Sequence, residues 1–95
     1  MKQANKEEMY SYISQLYNLP DGIISIQLKE ILFDFASRLD RTENLYIFAG
    51  QLSRYVNVEI TALTYRSPKE LVDLSRYLIS LAENRRMADM GLSKY

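Results

Sequence analysis

Apolar residues recur along this chain at three- and four-residue steps, and short polar breaks interrupt them. That spacing gathers side chains on one side of an α-helix. The longest such stretch is 42–63, where Leu45, Phe48, Leu52, Val56, Ile60 and Leu63 form a stripe that Ala49 and Tyr55 widen. A helix is expected over 43–64, with Thr42 as its cap and Glu43 in the first turn, where the helix dipole favours a carboxylate. Gly50 lies inside it at a cost of about 1 kcal/mol relative to alanine. Close approach of a neighbouring helix, or a kink, is its expected use.

Three shorter stripes flank this one. Asn5 and Glu8 have the spacing of a capping box, and Met9, Ile13 and Leu16 follow, with Tyr12 and Tyr17 beside them. A helix is expected over 6–17. Asn18-Leu19-Pro20-Asp21-Gly22 ends it with turn chemistry. Leu28, Ile31, Leu32, Phe35 and Leu39 predict a second helix over 24–39, for which both Asp21 and Ser25 are candidate caps. Asp34 and Arg38 stand four apart on its outer side and can pair. Ser67-Pro68-Lys69-Glu70 carries the sharpest local signal: serine as cap, proline in the first helical position, glutamate reaching back. A fourth helix is expected over 68–84, buried through Leu71, Leu74, Leu78 and Leu81, with outer pairs Lys69–Asp73 and Asp73–Arg76. From 85 to 95 the stripe stops, and a short C-terminal tail is expected.

Four amphipathic helices on short loops predict an all-α fold, an antiparallel up-down-up-down four-helix bundle, in one domain over 1–95. The apolar fraction of 47% suffices for such a core. No apolar run reaches the roughly 20 residues that span a bilayer, and 1–15 is too charged for a signal peptide. A cytoplasmic protein is expected.

Composition narrows the chemistry. The chain has no cysteine and no histidine. It therefore lacks the commonest zinc ligands, the usual general base and the thiolate nucleophile. The acid pairs Glu7/Glu8, Glu30/Asp34 and Glu70/Asp73 all fall on predicted outer faces, whereas catalytic pairs need a shared, partly buried site. Neither an enzyme nor a cofactor, metal or small-molecule substrate is expected. Twelve basic and twelve acidic side chains cancel, which argues against nucleic acid as a partner. A helix-turn-helix reading of the last two helices is disfavoured because Glu70, Asp73 and Glu83 share the would-be recognition helix with Lys69 and Arg76. Eight tyrosines suit either boundary packing between helices or protein contacts, and Tyr10, Tyr46, Tyr65 and Tyr77 are the ones expected off the main stripes.

At the level of scattered residues the chain resembles the immunity proteins of pediocin-like bacteriocins, of the enterocin A immunity type. Leu16-Tyr17-Asn18 closes the first helix; Leu39 and Asp40 precede Glu43-Asn44-Leu45, with Leu52 and Tyr55 beyond; Ser67-Pro68-Lys69-Glu70-Leu71 opens the fourth helix; Tyr95 is a terminal aromatic. The resemblance implies a small cytosolic four-helix bundle that gives self-protection. It would bind the mannose phosphotransferase permease from the cytosolic side when that membrane receptor is engaged by bacteriocin. Peripheral membrane contact is part of the same expectation. The resemblance also places partner recognition in the C-terminal half, here Tyr65, Arg66, Arg85, Arg86, Met87, Leu92, Lys94 and Tyr95. The chain departs from the basic character of several family members, since its net charge is zero. The rival expectation is a helical protein-binding adaptor, or a transcriptional regulator or antitoxin.

Overall fold

The computed structural model describes residues 5–90, with side chains over 5–81. It contains four helices and, among the described residues, no strand: α1 Lys6–Tyr17, α2 Ile26–Arg38, α3 Leu45–Leu63 and α4 Lys69–Met90. Single 3-10 turns, Leu39–Arg41 and Thr64–Arg66, follow α2 and α3. Each helix packs on its neighbour in sequence, and α1 closes the ring against α4. The fold is the four-helix bundle that the apolar stripes predict.

The core is what the stripes deliver. Met9, Ile13 and Leu16 enter from α1, Leu28, Leu32 and Phe35 from α2, Phe48, Leu52 and Val56 from α3, and Leu71, Leu74, Leu78 and Leu81 from α4. Each buried leucine contributes roughly 1.5–3 kcal/mol relative to exposure. Phe35 meets Phe48 edge-on at a centroid distance of 5.2 Å, which ties α2 to α3. Tyr12 and Tyr77 stack at 4.6 Å between α1 and α4.

The helix starts depart from expectation in three places. In α3 the cap is Asn44, whose side chain accepts from the N–H groups of Tyr46 and Ile47. Thr42 instead donates its hydroxyl proton to the Arg38 carbonyl, 2.9 Å away, and belongs to the end of α2. In α2 the two candidate caps resolve in favour of Ser25, so the helix starts at Ile26 and Ile24 is buried ahead of the cap. At α4 the Pro68 carbonyl accepts from Leu71 and Val72. The Ser67 hydroxyl is buried without a hydrogen-bond partner, so the expected capping box does not form. Asn5 caps α1 as expected, accepting from Glu7 and Glu8.

Other expectations change with packing. Gly50 is exposed, and nothing lies within 4 Å of where its Cβ would stand, so no helix approaches there. Tyr55 is exposed rather than part of the core. The Asp34–Arg38 pair forms at 3.0 Å, but neither Lys69–Asp73 nor Asp73–Arg76 does. Helix α4 continues to Met90, so 85–90 are helical rather than part of a tail.

Candidate functional site

Two of the predicted recognition residues share one corner. Tyr65 and Arg66 sit in the 3-10 turn between α3 and α4, and Tyr65 is 93% exposed. Just before them Thr64 has φ +54° and ψ −122°, the first central position of a type II′ turn, where glycine is usual. A β-branched residue is strained there. The Thr64 N–H still donates to the Ile60 carbonyl, and its carbonyl accepts from Ser67 3.1 Å away. Those bonds hold the strained turn and aim Tyr65 at solvent.

Three further predicted residues are not brought to this corner. Arg85, Arg86 and Met87 lie on the last turns of α4. From Lys69 to Arg85 the helix itself spans about 24 Å. Leu92, Lys94 and Tyr95 lie outside the described residues. Of the tyrosines expected off the stripes, Tyr10 and Tyr65 are exposed, Tyr46 is half-buried, and Tyr77 is buried. Burial and then the Glu8 charge push the Tyr77 phenol up to about 12, and the phenol donates to the Asn5 carbonyl.

Two open grooves run along the bundle. The groove between α2 and α3, of about 680 Å³, has Ile31, Phe35 and Tyr55 as its apolar lining and Glu30, Asp34, Arg38 and Arg54 as its charges. Arg38 is already committed, ion-paired to Asp34 and 4.6 Å above the Phe35 ring. The groove between α1 and α2, of about 380 Å³, is more apolar and is walled by Tyr10, Tyr17 and Phe33 over Ile13 and Leu32. Tyr17 and Phe33 are in ring contact at 6.2 Å. Among the described residues, no group of three or more Asp or Glu side chains gathers where a metal ion could be held.

One buried charge was missed in the sequence. Glu59 shares the buried face of α3 at 8% exposure, and its carboxylate accepts from the Ser25 N–H at 2.7 Å and the Ser25 hydroxyl at 2.8 Å. It anchors the start of α2 to α3. Its available signal was position: Glu59 lies three residues after Val56 and seven after Leu52, on the apolar side. The exposed aromatic wall was also missed. Tyr10 and Tyr17 are seven apart, as are Ile26 and Phe33, so each pair shares a helix face away from its core stripe.

No described helix is long and apolar enough to cross a membrane. Compared with known proteins, the chain matches no family model, no curated protein and no solved structure.

Proposed function

We propose that this chain is a bacteriocin immunity protein of the pediocin-like type. In this reading it works in the cytoplasm, without catalysis, and binds the bacteriocin-engaged mannose phosphotransferase permease from inside. The observation that carries the reading is the α3–α4 corner. A strained residue there holds Tyr65 and Arg66 outward, immediately before the Ser67-Pro68-Lys69-Glu70-Leu71 stretch on which the resemblance rests. Backbone strain is kept where something else depends on the shape it imposes. The four-helix bundle suits a rigid scaffold for such a surface. The resemblance assigns Arg85, Arg86 and Met87, on the last turns of α4, to the same recognition role, together with Leu92, Lys94 and Tyr95. The neutral net charge implies that protein contact, rather than attraction to anionic lipid, supplies most of the binding.

The test is protection. The chain is expressed in a bacterium sensitive to pediocin-like peptides, which is then challenged with a panel of them. Selective survival against one or two peptides is expected. Removal of 87–95, which takes away the last four residues of α4, should abolish survival, and Tyr65→Ala with Arg66→Ala should reduce it, while circular dichroism shows the bundle still helical. Uniform killing despite soluble expression would count against immunity. Full protection by the truncated chain would sink the assigned recognition surface. A protein-binding adaptor is the second reading, and the exposed aromatic groove between α1 and α2 is the feature that favours it.

A further inference from the structure

The groove between α1 and α2 lies on helices that the immunity reading does not use. Four large side chains stand out of the bundle there: Ile26 is 74% exposed, Phe33 63%, Tyr10 55% and Tyr17 38%. Single exposed apolar residues are ordinary, but a cluster drawn from two helices around one concave surface marks a contact site. Tyr10 and Tyr17 rise from one wall, and Ile26 and Phe33 from the other. Each pair is spaced by seven residues, so each wall is about 10 Å long. A cleft of that form between two helices accepts a third amphipathic helix, whose apolar residues at i, i+3, i+4 and i+7 meet the aromatic rings.

Charge selects which helix. Glu7 stands at one end of the groove beside Tyr10, and Glu30 at the other beside Ile26 and Phe33. Neither forms an ion pair among the described residues. The two lysines of this face are engaged: Lys6 donates to the Asp40 carbonyl at 2.9 Å. Lys29 donates to the Leu19 carbonyl at 2.9 Å and pairs with Asp21 at 3.2 Å. An incoming partner therefore meets a surplus of carboxylate at both ends, Glu7 and Asp40 against Lys6 and Glu30 and Asp21 against Lys29, with aromatic rings between them. Anionic lipid, nucleic acid and acidic proteins are repelled by that arrangement. We infer that the α1–α2 groove is a docking site for a basic amphipathic helix of a protein partner. The inference does not rest on the immunity reading.

Two synthetic helical peptides test it. They share a leucine and methionine face, and one is flanked by lysines, the other by glutamates. Each is titrated into the full chain and followed by amide chemical shifts. The lysine-flanked peptide should bind saturably, with shifts centred on α1 and α2. Phe33→Ser should weaken it about thirtyfold, the effect of truncating a central anchor. Glu7→Lys with Glu30→Lys should weaken it about tenfold and give affinity for the glutamate-flanked peptide. All these side chains are exposed, so unchanged helicity is expected of both variants, with a slightly lower unfolding temperature for the charge variant because Glu7 lies in the first turn of α1. Absence of binding, shifts centred elsewhere, or affinity indifferent to Phe33→Ser would each overturn the inference. So would self-association through Phe33 without peptide, because the occupant would then be a second copy.

Discussion

Glu59 is the residue on which two helices depend. Its carboxylate satisfies the Ser25 backbone N–H and hydroxyl, while the Ser25 oxygen caps the Leu28 N–H. Glu59→Ala leaves the Ser25 N–H without its acceptor. A loss of about 2–3 kcal/mol is expected, read as a lower midpoint in urea with an unchanged slope. Tyr77 makes the second prediction at this scale. Its phenol titrates near 12 in the folded chain against about 10 when free, so the folded state favours the neutral form. That contribution is complete below pH 10 and is lost as pH rises through 12. Unfolding temperatures measured from pH 9 to 12 should therefore fall more steeply for the natural chain than for Tyr77→Phe. Parallel curves would remove Tyr77 from the account.

Helix α3 carries two avoidable costs. Gly50 sits exposed in its middle with open space where a Cβ would stand. Gly50→Ala should stabilise the chain by about 1 kcal/mol, through helix propensity and a less flexible unfolded chain. In a domain of this size that raises the unfolding temperature by about 4–8 °C. Thr64 carries the other cost, at the end of the helix. Thr64→Gly should relieve roughly 1 kcal/mol or more of backbone strain. On the immunity reading it should also weaken protection, since Tyr65 and Arg66 lose the rigid turn that presents them. Stabilisation with unchanged protection would make the strain incidental.

Across the whole molecule, the surfaces divide between two sides. The α3–α4 corner bears Tyr65 and Arg66, and the α1–α2 groove bears the aromatic wall. Most of the bundle was legible in the sequence because its helices bury narrow stripes, and a stripe repeats every three or four residues regardless of its partner. Helix ends were less legible. Thr42, Asn44, Ser25 and Ser67 all have capping chemistry, and the choice among them depends on how the loops pack. At Thr42 the nearer acceptor is the last turn of α2, and at Ser67 burial removes the hydroxyl from any partner. The recognition residues were legible only as a region of the chain, since sequence order says nothing of the roughly 24 Å of helix between Arg66's corner and Arg85.

The sequence by itself determined the number of helices, their order and nearly all of the core, because hydrophobic periodicity is a local property that survives in any packing. Tertiary structure decided which side chains outside the stripes matter. Glu59 became a buried link only when Ser25 came to it from a helix 34 positions away. Tyr77 became a core residue when Tyr12 stacked on it, and Phe33 stayed exposed because no described element of the bundle covers the α1–α2 groove. These outcomes depend on contacts between segments distant in sequence, and a pattern read along one segment does not contain them.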